Sequence, residues 1–175
     1  SLDLMQNLIA HMPEGVMPAL FSRGATNAAC VLVVTSDKGL AGALNTNVLK
    51  KAEAHIDKYM VLRRPYIVVT VGKKAKEYFE KRDMRPVKSF AGYGDYSTLE
   101  ETRDVADTLL TGFTDGSWGE VHAAYMNFRT TLLQEPVVKK ILPVTREGIA
   151  EAVASILPER GRFADPATSY KLIPT

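Results

Sequence analysis

CVLVVTSDKGLAGALNTNVL, residues 30–49, is the stretch on which the fold turns. It opens with an unbroken apolar run, Cys30-Val31-Leu32-Val33-Val34, rich in β-branched residues and too short for an ordinary helix. Such a run reads as a strand buried on both faces, as in a parallel sheet. A polar turn follows, Thr35-Ser36-Asp37-Lys38-Gly39, and then small residues through Ala41, Gly42 and Ala43 that let backbone pass close to backbone. From Val48 onward the apolar residues Val48, Ala52, Ile56 and Tyr59 fall at helical spacing, which predicts a helix over 46–62. Strand, glycine-bearing turn and helix together open a doubly wound α/β domain.

Downstream the same alternation continues. Arg63-Arg64 places cations at a helix C-terminus and Pro65 stops the helix. Tyr66-Ile67-Val68-Val69-Thr70-Val71 is a second buried strand, and 73–82 a short helix with Tyr78 and Phe79 turned inward. Its Lys73/Glu77, Lys76/Glu80 and Glu77/Lys81 pairs, four residues apart, form a solvated face. Residues 85–90 read as a weaker strand near an edge, because it contains Pro86. The loop AGYGDY, 91–96, reads as a connector, and Ser97-Thr98-Leu99-Glu100 as a capping box. The helix it opens carries Leu99, Thr102, Val105, Leu109 and Phe113 on one face, with an exit turn over 114–119.

Strand four, 120–127, alternates Val121, Ala123 and Tyr125 against His122, Ala124 and Met126. We expect it to run on to Leu133, turn at Gln134-Glu135-Pro136 and return over 137–144 as an antiparallel hairpin. Thr145 can cap a last helix with Ile149, Val153 and Ile156 inward. The predicted fold is thus a mostly parallel twisted sheet of about five strands, with helices on both faces and the hairpin at one side. Three segments are expected: a helix end and loop at 1–28, the globular α/β domain at 29–157, and a tail at 158–175. In the first, Leu2, Met5, Leu8, Ile9 and Met12 recur at helical spacing up to Pro13.

Composition narrows the function classes. With 175 residues and 46% hydrophobic content, one domain with a substantial core is expected. A net charge of +2, from 22 basic and 20 acidic residues, leaves no footprint for nucleic acid or acidic substrates. No segment approaches the ~20 apolar residues of a membrane span, and no cationic, leucine-rich leader is visible. The single cysteine, Cys30, heads a buried strand and reads as core packing; with no second cysteine, a thiol switch has no support.

The turn after the first strand invites a nucleotide reading. Asp37-Lys38-Gly39-Leu40-Ala41-Gly42 has the spacing of G-x-G-x-x-G, with aspartate in place of the first glycine. That carboxylate would face the pyrophosphate which a helix N-terminus should attract. The second strand ends in Gly72-Lys73-Lys74, with no Asp or Glu to hold a ribose hydroxyl. A P-loop fails too, since Ile67 stands where its first glycine belongs and Lys74 where Ser or Thr belongs. His11, His55 and His122 are scattered over different elements, and His55 and His122 read as ordinary surface or boundary residues. No spacing suggests a metal site, and no nucleophile elbow exists to activate Ser36. Asp37, before a lysine and a glycine, reads as a turn residue placed for its local hydrogen bonds. The residues alone thus give an α/β domain lacking a complete catalytic set. A small Rossmann-type nucleotide-binding enzyme and a ligand-binding α/β module stand as alternatives.

A resemblance sharpens this. The run from Val33 through Ser36-Asp37-Lys38-Gly39-Leu40-Ala41-Gly42-Ala43-Leu44-Asn45 resembles the signature of the gamma subunit of F-type ATP synthases, where an apolar strand enters S-D-(R/K)-G-L-x-G-x-L-N. Far downstream, Tyr125-Met126-Asn127-Phe128, Gln134-Glu135-Pro136 and Ile141-Leu142-Pro143 resemble that family's Y-N-x-F, Q-x-P and L-L-P series. The departures are Ala41, where Cys is frequent, Ala43, where Gly is usual, and the residues after Pro143. The resemblance implies a non-catalytic rotor subunit without a cofactor, whose Rossmann-like body lies between two long coiled-coil helices. It further implies a central-stalk role, carrying torque between the c ring and the catalytic alpha/beta hexamer of a proton-translocating ATP synthase. The implied partners are the alpha and beta subunits, the epsilon subunit (delta in mitochondria) and the c ring, peripheral to an energy-transducing membrane. For a bacterium that is the cytoplasmic face of the inner membrane. The same resemblance sets Asp37, Lys38, Gly39, Ala41 and Gly42 at a subunit interface, with Lys38 meeting the acidic C-terminal region of beta.

Overall fold

The run at 30–34 becomes the central strand of a sheet. In the computed structural model, β1 (Ala29–Val34) pairs in parallel with β2 (Tyr66–Val71) on one side and with β4 (Glu120–Phe128) on the other. β3 (Lys88–Phe90) adds in parallel outside β2, and β5 (Gln134–Leu142) closes the other side antiparallel to β4. The order is therefore β3-β2-β1-β4-β5. The structure describes residues 20–22, 24, 26–37, 42–92, 99–128, 130, 132–145, 147 and 148. The expected helix within 1–19, the AGYGDY connector beyond Gly92, the Ser97 capping box and the tail lie outside those residues. The chain divides into two units, Ser1–Val144 and Thr145–Thr175. In the second, the Gly148 amide donates to the Thr145 hydroxyl at 2.9 Å, the contact expected of a capping threonine.

The all-apolar composition of β1 is explained by its position. Ala29, Cys30, Val31, Leu32 and Val33 are all fully buried, and they alternate between two cores. Ala29, Val31 and Val33 meet α1 (Gly42–Val61) and α2 (Lys73–Glu80), through Val48, Ala52, Ile56, Tyr59 and Phe79. Cys30 and Leu32 meet α3 (Leu99–Thr114), through Val105, Leu109 and Phe113, with Trp118 beneath. Burial pushes the Cys30 thiol up to about 12, which leaves it protonated and inert. The chain steps one way from β1 to β3, then crosses back to β4. Crossovers of constant hand then require α3 on the face opposite α1 and α2, as observed.

Three boundaries differ from the sequence reading. Helix α1 starts at Gly42, a turn earlier than expected, because Asn45 already faces inward to bond Ser36. Strand β3 has only three residues, beginning after Val87. The hairpin turns around Thr130, not at Gln134-Glu135-Pro136. Phe128 pairs with Gln134 and Met126 with Pro136, while the Thr130 hydroxyl accepts the amides of Leu132 and Leu133 at 3.2 and 2.9 Å. An edge strand tolerates a residue without an N–H, so Pro136 sits within β5 instead of breaking it. Among the described residues no helix is long and apolar enough to cross a membrane.

Candidate functional site

The strand order reverses direction at β1, so the loop leaving its C-terminal end occupies the position where doubly wound sheets place their ligands. Each polar side chain of Thr35-Ser36-Asp37 has a partner elsewhere in the chain. The Thr35 amide donates to Val71 O at 2.8 Å, and its hydroxyl accepts the Ala75 amide at 3.0 Å. The Ser36 amide donates to Asn45 Oδ1 at 3.2 Å, and Asn45 Nδ2 donates to Ser36 Oγ at 2.8 Å. Asp37 Oδ1 accepts the Lys73 amide at 2.8 Å. The motif thus ties the end of β1 to the second turn of α1 and to the first turn of α2.

Why α2 is capped from a distance follows from one residue. Its N-cap is Gly72, at φ +99° and without a side chain to satisfy the helix amides. A Cβ there would stand 2.1 Å from Thr35 O, so the serine or aspartate that usually caps a helix cannot occupy it. Thr35 and Asp37 take over, each accepting one of the amides that the first helical turn leaves unpaired. An anion docking at this helix start would have to displace a carboxylate and a hydroxyl already bonded there. At Gly42, by contrast, an added Cβ would meet nothing within 4 Å of the chain itself. Lys38, Gly39 and Ala41 lie outside the described residues. Beside the loop, a groove of about 390 Å³ between α1 and α2 carries Lys74, Lys81 and Arg82 against one carboxylate, Glu77. Arg82 lies 3.5 Å over the Tyr78 ring and 3.4 Å from Glu53.

A second polar cluster escaped the sequence reading. His55 on α1 and His122 on β4 come together, ring centroids 4.7 Å apart. His55 Nε2 meets the Tyr59 hydroxyl at 3.0 Å, and His122 Nε2 meets Glu120 Oε2 at 2.8 Å. Arg64 donates to Glu120 Oε1 and to Asn27 O, both at 2.7 Å. Burial alone would raise the Glu120 carboxyl; the bonds from His122 and Arg64 overcome it and bring it down to about 2. The available signals were Glu120 and His122 two apart on a strand, and His55 and Tyr59 four apart on a helix. Neither announces that the two pairs share a site. Among the described residues no group of His, Cys, Asp or Glu could hold a metal ion.

Comparison with known proteins settles the family. A family model described as ATP synthase matches residues 2–174. The ATP synthase gamma chain of Mycolicibacterium vanbaalenii is 34% identical over 171 residues, covering 90% of this chain and 53% of that one. The chain belongs to the ATP synthase gamma-chain family. The gamma chain of Salinibacter ruber is 32% identical over 172 residues, covering 93% and 56% respectively. The present chain therefore spans about half the length of the curated gamma chains it matches. In fold it is similar to the Tetrahymena thermophila mitochondrial ATP synthase central stalk and c-ring structure, at TM-score 0.56 and 16% identity over 95% of this chain and 70% of that one. The Euglena gracilis mitochondrial ATP synthase rotor gives 0.52 and 13%, covering 98% and 66%. In this chain the first two residues of the S-D-K-G-L-A-G stretch bond to two helices of the same unit.

Proposed function

We propose that this chain is the globular body of the central-stalk rotor subunit of a proton-translocating F-type ATP synthase. In that role it transmits torque between the c ring and the catalytic alpha/beta hexamer and performs no catalysis of its own. Its partners are then the alpha and beta subunits, the epsilon subunit (delta in mitochondria) and the c ring, peripheral to an energy-transducing membrane. In that role the α/β part of the first unit, from Ala29 to Val144, is the body. The observation that carries the reading, beyond family membership, is the clamp at the end of β1. Torque needs a stiff body, and here one loop is bonded to two helices and closed over Gly72 with no room for a side chain.

The loop then serves as a contact. Lys38 meets an acidic segment of the beta subunit, and the open space over Gly42 admits a neighbouring backbone. Lys38→Glu in the full-length subunit is expected to weaken its association with the beta subunit by about fivefold, the factor that an ion pair of about 1 kcal/mol gives, and to lower ATP-driven proton pumping. Unchanged pumping in inverted vesicles would remove the contact. Failure of the full-length chain to support assembly of any alpha/beta complex would remove the rotor role itself.

A further inference from the structure

We propose that the seam between α1 and β4 is an acid-sensitive latch, in which double protonation of the His55–His122 pair releases the C-terminal half of α1 from the sheet. The two rings face one another at 4.7 Å, tilted by 45°, so a proton on each puts two cations in contact. The surroundings cannot absorb both. Glu120 from β4 is the carboxylate at the cluster, and its two oxygens are held by Arg64 and by His122. The other charged groups acting on the pair are cations: Lys58 from α1, Lys140 opposite His122 on β5, and Arg64 from the turn before β2. One added proton can rest on His122 against Glu120. Among the described residues a second, on His55, has the Tyr59 hydroxyl as hydrogen-bond partner, with the Glu120 charge, already shared by Arg64 and His122, acting on it without a bond.

The end of α1 is the part that would move. Beyond Tyr59 the end of α1 has little hold on the core, since Val61 and Leu62 are 83% and 71% exposed. The helix end is fastened by Ile56 and Tyr59, and by Arg64 through Glu120 and Asn27. The histidine pair sits directly at that fastening.

The direction with pH follows from linkage. Burial first, then His122 and Lys58, bring the His55 imidazole down to about 4, and burial likewise lowers His122 despite Glu120. Released from the sheet, His55 returns to its ordinary value near 6.5, so the released state binds more protons between those limits. The latch is therefore closed above about pH 6.5 and weakens as pH falls towards 4.

Native-state hydrogen exchange of the full chain at pH 7.5 and 5.0, corrected for intrinsic chemistry, tests this against His55→Phe. Protection of residues 56–61 should fall roughly 30-fold more in the native chain than in the variant, the ratio that shifting one imidazole from about 4 to 6.5 implies. Residues 105–113 of α3 should not share that excess. An equal fall in both proteins, or an equal excess in α3, overturns the proposal. Should the variant not fold, imidazole titration of the native chain by NMR decides: a His55 midpoint well below 6 supports the latch, and midpoints near 6.5 for both histidines overturn it.

Discussion

Thr35, Asp37 and Gly72 form a single arrangement although they come from two loops far apart in sequence. The glycine gives up the usual capping side chain so that two strands can approach, and the threonine and aspartate return the missing acceptors. Gly72→Ala should accordingly cost at least about 3 kcal/mol in urea unfolding, from positive φ and a clash with backbone combined. Gly42→Ala, in an open helical position, should stabilise by about 0.4–1 kcal/mol through the unfolded chain. The sequence marks Asp37 as a turn residue placed for local hydrogen bonds, and the hydrogen bond it makes is not local. Its partner is an amide 36 positions away, which no local pattern reveals. His55 and His122 show the same limit more sharply, because a contact between helix and strand depends on register and strand order.

At the level of elements, periodicity carried most of the information. The unbroken apolar run of β1 and the helical spacing of Val48, Ala52, Ile56 and Tyr59 correctly assign a strand buried on both faces and the buried face of α1. The hairpin misled because Pro136 looks like a turn, and only membership of an edge strand makes it acceptable within β5. Helix α2 illustrates how little propensity decides. At eight residues it is too short to hold by itself, so its stability comes from burial of Ala75 and Phe79 and from its distant caps. Phe79, fully buried, should cost about 3–5 kcal/mol when truncated to alanine, and the amides of α2 should lose exchange protection before those of α3.

For the whole molecule, one sheet separates two cores that share the residues of β1 as a common wall. The alternating pattern of strands and helices shows that such a sheet exists, but strand order is not written in any segment. Sharing of β1 predicts cooperative unfolding at pH 7.5. The single tryptophan, Trp118, lies under α3 with its indole N–H donated to Leu109 O, so its fluorescence reports one core. Far-UV circular dichroism reports all the helices. Coincident urea midpoints from the two signals are expected, and midpoints apart would mean that the two faces melt separately.

Cys30 lies sealed in the wall between those cores, and it is the chain's sole thiol. A cysteine introduced at an exposed position such as Val61 would be the one address that a maleimide dye or spin label could find. The native residue need not be removed first, so probes of rotation or distance can be attached to this body with its interior untouched.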